Sequence, residues 1–381
     1  MQCYENDKLL TVVVPSYNAS KYLDFNLQSF LRPSVPEKLE VIIVDDGSTD
    51  DTARIADAYH EKYPDTVKAV HKENGGHGSG INAGLRAATG KYFKVVDADD
   101  WVDHEALERL LDYIASFDAA AANADTDIDI DIDTAQVQAD AKARAQDKAV
   151  FVPDVIYNNY YWRLTDEAKS PDAYERKAEF TEPFSGVEYH KVYDFESIAD
   201  QCYVKMHNMT IRTDILREHQ IQIDEHCYYV DMEYILYPMP YVETIAFLPE
   251  YLYQYQIGRQ GQSMDPAKMQ RNAAQYDHVL DSIYAYYDVH CRNIEQPNRK
   301  KYIDRLISRF YASRIKILLS MPDAAKHKSE FMMMEQTLKG DYRDVYDANL
   351  NSAIRILRRS RYLFYGAAVM AMKKKLKTQY S

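Results

Sequence analysis

Leu39-Glu40-Val41-Ile42-Ile43-Val44-Asp45-Asp46-Gly47-Ser48-Thr49-Asp50 decides the fold of the first part of the chain. A near-continuous apolar run rich in β-branched residues is the pattern of a strand buried on both faces. It halts abruptly at an acidic, glycine-containing turn, where Ser48 or Thr49 can cap a helix over about 51–63. On the N-terminal side, Leu9 to Val14 is a second such strand, which Pro15 is expected to end. A helix over Tyr22 to Leu31 follows it. On the C-terminal side come a third strand, Val67 to His71, and a Gly-rich turn, Gly75 to Gly80. A helix over Ile81 to Ala88, closed by Gly90, leads to a fourth strand, Tyr92 to Val96. That strand runs straight into Asp97-Ala98-Asp99-Asp100. Repeated strand–helix alternation predicts an α/β fold, a Rossmann-like mostly parallel sheet with flanking helices. Ligands of such sheets bind beyond the carboxyl ends of the strands, which is where both acidic clusters fall.

The acidic clusters carry the chemistry. Carboxylates gathered at a core edge are costly without a cation. Mg²⁺ or Mn²⁺ held by one or two carboxylates together with substrate phosphates would relieve that cost. Asp45 and Asp46 are placed to accept hydrogen bonds from a base or a ribose. The pattern fits a metal-bound nucleoside diphosphate. Gly76-His77-Gly78-Ser79-Gly80 imitates a dinucleotide fingerprint, but the third glycine would fall at Ile81, and the turn follows the third strand rather than the first.

Five segments occur in order: Val12-Val13-Val14-Pro15-Ser16-Tyr17-Asn18, Val44-Asp45-Asp46-Gly47-Ser48-Thr49-Asp50, Asn74-Gly75-Gly76, Asn82-Ala83-Gly84 with Ala88-Thr89-Gly90, and Asp97-Ala98-Asp99-Asp100. Together they resemble the family 2 glycosyltransferases of GT-A fold, of the bacterial cell-envelope type. The resemblance covers about the first 115 residues and weakens toward Asp265. It implies inverting transfer of a hexosyl unit from a UDP-sugar to a hydroxyl of a glycan, lipid-linked or polymer acceptor, assisted by Mn²⁺ or Mg²⁺. It implies that Pro15, Ser16 and Tyr17 hold base and ribose, with Asp46 on the uracil and Asp45 shaping that pocket. Asp97 and Asp99 match the DxD signature that contacts ribose and metal, with Asp100 a further candidate ligand. Asn82 would line the donor phosphates or the sugar. The general base, usually one of an acidic pair, aligns with Asp231 in Tyr228-Tyr229-Val230-Asp231-Met232-Glu233-Tyr234. Glu233 stays open as the alternative, on the same side if the stretch is a strand or ~200° around if it is a helix. Arg259 matches a basic residue over the diphosphate, and His207 a polar position near donor or acceptor. The displaced acidic pair also leaves open a second reading, a nucleotide-sugar-binding partner of another transferase that has lost catalysis.

The remaining chain sets the frame. Its 381 residues carry a net charge of −13, which argues against a nucleic-acid binder. Four scattered cysteines suggest reduced thiols in a cytoplasmic protein, and neither a signal peptide nor a membrane-spanning run is expected. Residues 1–265 are expected to form the transferase domain, with an Ala- and Asp-rich insertion at about 118–149. Residues 266–381 are expected to form a helical C-terminal subdomain. Its stretch 355–377 holds eight Lys or Arg and no acidic residue, around an apolar segment Tyr362 to Met372. This pattern suits peripheral docking on an anionic inner membrane face, where lipid-linked acceptors are found.

Overall fold

The computed structural model describes residues 8–31, 37–126, 152–164, 175–178, 187–257, 262 and 265–379. Ten strands form one sheet: β1 Leu10–Ser16, β2 Leu39–Asp45, β3 Val67–His71, β4 Tyr92–Val95, β5 Trp101–Val102, β6 Val155–Leu164, β7 Glu175–Ala178, β8 Val192–Asp194, β9 Met209–Arg212 and β10 Thr244–Ile257. The order is β3-β2-β1-β4-β9-β6-β10-β5, with β7 pairing β6 and β8 pairing β10. The β3-β2-β1-β4 half is parallel, as the alternation demands, and antiparallel β9 joins it to the parallel pair β6 and β10. The helices that position the site are α1 Leu23–Gln28, α2 Thr52–Lys62, α3 His77–Ala87, α4 His104–Thr126 and α5 Asp231–Leu236.

Both faces of the parallel half are buried. Val12, Val14, Val41 and Ile43 pack on one side with α1, α2 and α4, while Val13, Ile42 and Val44 pack on the other with α3. This two-sided burial explains the unbroken apolar runs of β1 and β2. Pro15 does not end β1, contrary to expectation: it sits in register with Val44, and Ser16 with Asp45. The β4 neighbour stops pairing at Val13, so beyond that point one side of β1 needs no ladder donor and proline is tolerated.

The expected Gly75–Gly80 turn is shorter than its composition suggests, because α3 already begins at His77. Its glycines serve close approach. A Cβ at Gly84 would stand 2.3 Å from the Val13 side chain, and one at Gly78 2.1 Å from the carbonyl oxygen of Asp224. Helix α4 runs to Thr126, into the start of the expected insertion. The remainder of that insertion lies outside the described residues.

From Pro266 onward the chain is helical, as the 3.6-residue periodicity predicts. The main elements are α6 Ala273–Tyr286, α7 Pro297–Ser320, α8 Lys328–Asp341, α9 Ser352–Arg359 and α10 Tyr365–Gln379. Helix α7 is the hub, burying Tyr302, Ile303, Leu306, Ile307 and Leu318. Its apolar contacts are continuous with the core on the α3 side of the sheet. Inside this region the buried carboxylate of Glu335 accepts from Arg358 Nε at 2.6 Å and Tyr311 Oη at 2.9 Å.

Candidate active site

A cleft opens at the carboxyl ends of β1, β2 and β4, in two lobes of about 350 and 380 Å³. The lobes share Pro15, Tyr17, His77 and Tyr228. Asp97, Asp99, Asp231, Tyr255 and Lys268 line the first lobe, and Ser16, Asp46, Asn74 and His226 the second. The segments expected to hold a nucleotide, a metal and a base therefore converge on one concavity, the usual setting of a small-molecule site.

The loop after β4 is firmly built. Asn26 Nδ2 donates to the carbonyl oxygens of Asp97 and Asp100 at 3.1 and 2.8 Å. Tyr253 Oη accepts from the Asp97 backbone N–H at 3.2 Å and donates to Asp100 Oδ2 at 2.6 Å. Asp100 Oδ1 accepts from the Gln256 N–H at 2.7 Å. Both Asp100 oxygens are thus engaged, and burial with the adjacent Asp97 charge holds this carboxyl well above the usual range. Asp100 braces the loop from behind, whereas Asp97 and Asp99 line the cleft. The closest ligand atoms of Asp97, Asp100 and His207 lie within 4.8 Å of one another. Hard carboxylate oxygens on the cleft wall fit Mg²⁺ or Mn²⁺. Asp97 and Asp99 are the cleft-lining carboxylates that could hold such a cation.

His77, at the first position of α3, is the residue that the sequence did not disclose. Its Nε2 lies 2.8 Å from Asp97 Oδ1 and its Nδ1 3.6 Å from Asp231 Oδ1. Burial alone would push the imidazole down. The Asp97 ion pair, helped by the Asp231 and Asp46 charges, prevails and raises it to about 9. A protonated histidine therefore stands between the DxD carboxylate and the candidate base. The signal available in the sequence was a histidine directly behind Gly75-Gly76 at a helix start.

Asp231 opens α5 and lines the cleft. Desolvation at the cleft wall and the Asp97 charge raise its carboxyl, against the pull of His77, with more than half of the side chain open to solvent. Glu233 does not reach the cleft. Because the stretch is a helix, two residues turn it to the opposite face, where it is fully buried and accepts the Asp224 N–H at 2.7 Å. Burial raises its carboxyl to about 8. The loop ahead of α5 carries left-handed backbone at two non-glycine residues, His226 with φ 58° and Tyr229 with φ 72°. Strain of this kind concentrates at functional sites.

Several donor candidates serve the scaffold instead. Asp45 is absent from the cleft wall, and its carboxylate accepts from the Ser48 N–H at 3.0 Å and meets His71 Nδ1 at 3.1 Å. Asn82 spends its amide on Ile223, accepting from its N–H at 2.9 Å and donating to its carbonyl at 2.8 Å. It thereby fastens the loop that precedes α5. His207 lies beneath the cleft, boxed by Tyr160, Tyr253 and Tyr255, and burial pushes it down to about 3, so it is neutral. Arg259 lies outside the described residues. Lys268, from the helix that follows, reaches the cleft with its Nζ 5.0 Å from the centre of the Tyr228 ring. Asp46 lines the cleft, but its carboxylate accepts from Lys72 Nζ (2.7 Å), the N–H groups of Gly75 (2.9 Å) and Gly76 (2.7 Å), and Ser79 Oγ (3.0 Å).

Comparison with known proteins agrees with this geometry. Residues 11–180 match the family described as glycosyl transferase family 2. The glycosyltransferase GlyG of Streptococcus pneumoniae is 38% identical over 113 residues, which cover 29% of this chain and 37% of that protein. The poly(ribitol-phosphate) beta-N-acetylglucosaminyltransferase TarS of Staphylococcus aureus is 35% identical over 105 residues, 27% of this chain and 18% of TarS. The chain thus matches well under half the length of these curated relatives. A crystal structure of TarS residues 1–349 in complex with UDP-GlcNAc superposes with a TM-score of 0.54 at 17% identity, covering 98% of this chain and 91% of that one. Residues 11–180 thus resemble the glycosyl transferase family 2, and the fold is GT-A.

Proposed function

We propose that the protein transfers a hexosyl unit from a UDP-sugar, with inversion, to a hydroxyl of a glycan, lipid-linked or polymer acceptor in cell-envelope polysaccharide synthesis. The observation that carries this reading is the facing of Asp97 and Asp99 by Asp231 across one cleft. Inversion needs a base on the side of the sugar opposite the leaving diphosphate. Asp231 takes the acceptor hydroxyl proton as the new C–O bond forms and the bond from the anomeric carbon to UDP breaks. Asp97 and Asp99 would hold a divalent cation, which would supply charge neutralisation on the departing diphosphate. His77 and Lys268 add N–H donors to the same lobe. Tyr17, Tyr228 and Tyr255 offer flat faces with hydroxyl edges, suited to base and sugar. Asp231 keeps a place on the cleft despite the displaced acidic pair, which favours an active transferase over a binding partner.

Calorimetric titration of UDP with and without Mn²⁺ tests the donor site. Wild type should bind UDP more tightly with metal, and Asp99→Ala should lose at least tenfold of that affinity, about 1.4 kcal/mol. Failure of the wild type to bind UDP under any metal condition would remove a UDP-sugar as donor.

The basic tail supports a second part of the proposal, peripheral contact with an anionic bilayer. Among the described residues no helix is long and apolar enough to cross a membrane. Ile354, Leu357, Tyr365 and Val369 fix α9 and α10 to the body, while Ile356, Leu363, Phe364 and Met370 remain exposed among the basic residues. Arg358 turns inward to Glu335 and is not part of the basic face. Wild type should co-sediment with phosphatidylserine vesicles and much less with phosphatidylcholine. The double variant Leu363→Glu, Phe364→Glu should lose that binding, and equal binding by both proteins would refute the contact.

A further inference from the structure

The loop between Ile223 and α5 lines the second lobe of the cleft through His226, Cys227 and Tyr228, and it also meets α6. The closest ligand atoms of Asp224, Cys227 and His278 lie within 4.8 Å of one another. His278 Nε2 is 3.2 Å from Asp224 Oδ2, and Ser282 Oγ, one turn along α6, donates to the same oxygen at 2.6 Å. Cys227 is buried and unpaired in any disulfide, and Asp224 is half-buried. A second observation points to a cation here. Glu233 is fully buried against this loop, and its Oε1 has no hydrogen-bond partner although its Oε2 holds the Asp224 N–H. Its carboxyl lies close enough to act on the Cys227 thiol, as Asp224 does. A thiol, an imidazole and two carboxyls are thus gathered at one place.

We propose that Asp224, Cys227 and His278 bind a borderline-soft divalent cation of the zinc class, at a site separate from the donor metal, with the buried Glu233 carboxyl behind them. Sulfur, imidazole nitrogen and carboxylate oxygen are the zinc donor set, and the thiol argues against Mg²⁺ or Ca²⁺. Bonds of about 2.0–2.3 Å place tetrahedral ligands roughly 3.3–3.8 Å apart, so the cluster contracts by about 1 Å through side-chain rotation. On binding, the Cys227 S–H bond breaks, an S–metal bond forms, and the proton leaves to solvent. Three protein ligands leave a fourth position on the exposed His278 side for water. The cation would tie the loop bearing Cys227, Tyr228 and Asp231 to α6. Tyr228 N–H already reaches α6 through Gln275 Oε1 at 2.9 Å. Metal occupancy would therefore stiffen the wall of the second lobe that Cys227 and Tyr228 line. This inference does not depend on the transferase reading, since its test reads metal binding alone.

Co²⁺ serves as the probe, because a Co²⁺–thiolate bond absorbs in the near ultraviolet. Titration of the full chain under reducing conditions should show this band saturating at one equivalent, and Zn²⁺ should displace it. Cys227→Ser should abolish the band. His278→Ala, an exposed change that leaves the core intact, should weaken Co²⁺ binding at least tenfold and remove any rise in melting temperature given by Zn²⁺. Asp99→Ala should retain the band at full strength. The proposal is overturned if wild type shows no thiolate band, if the band survives in Cys227→Ser, or if it vanishes in Asp99→Ala.

Discussion

Asp231→Asn should lower kcat by about 10²–10⁴-fold, the usual contribution of a positioned general base, while UDP affinity stays within a few-fold of wild type. Asparagine keeps the shape of the side chain and its place on the cleft wall but cannot take a proton. The donor end of the cleft is built from β1, β4 and α3, and Asp231 meets it through His77 Nδ1, 3.6 Å away, an approach that the isosteric asparagine can keep. The loss should therefore appear in kcat and not in donor binding, the signature of an interaction made in the transition state. Desolvation and the Asp97 charge raise the Asp231 carboxyl, so the acid limb of the wild-type kcat profile should lie above the ordinary carboxylate value of 3.8. A steady-state assay with a turned-over UDP-sugar, beside UDP calorimetry, checks both halves. Near-normal turnover in Asp231→Asn would remove it as the base. If Glu233 were the base, Glu233→Gln would show the fall instead, and its burial on the far face of α5 argues against that outcome.

The contrast between Asp231 and Glu233 shows what a sequence can and cannot say about such a site. The parallel half of the sheet was legible because two-sided burial writes itself as unbroken apolar runs, and the acidic ends of β2 and β4 follow those runs directly. The family resemblance then assigned roles by position. Position does not fix direction. Asp45 and Asp46 are neighbours on one strand end, so their side chains leave on opposite faces, and only Asp46 meets the cleft. Glu233 needed the knowledge that residues 231–236 are helical, which a short aromatic stretch does not reveal. Asn82 and His207 are polar residues at expected places whose side chains satisfy the scaffold. His77 was hidden for the opposite reason: the glycines around it read as a turn, whereas Gly78 and Gly84 are helical residues that let α3 approach the Asp224 loop and β1. The same close approach brings His77 over Asp97.

Asp46→Ala should destabilise the fold by about 3 kcal/mol, toward the lower end of what breaking a buried ion pair costs. The change removes the acceptor for Lys72 Nζ, two backbone N–H groups and Ser79 Oγ at one stroke. Lys72 keeps contacts to the Glu73 carbonyl and Ser79, which moderates the loss, but the Gly75 and Gly76 donors are left without that partner. Burial opposes ionisation of Asp46, yet the Lys72 and backbone hydrogen bonds win and lower its carboxyl below 3.8. Its contribution is therefore complete above that value and is lost as pH falls through the lower folded-state value. The stability gap between wild type and variant should be full at pH 7 and shrink below about pH 4. Urea unfolding at both pH values measures it. If Asp46 served only to touch a nucleobase, stability would be unchanged and UDP affinity alone would fall. The network predicts both, because Gly75 and Gly76 set the start of α3 and hence the place of His77. Domain stabilities of about 5–15 kcal/mol leave the variant folded without denaturant. Weakened UDP binding measured there would report the turn itself and not global unfolding.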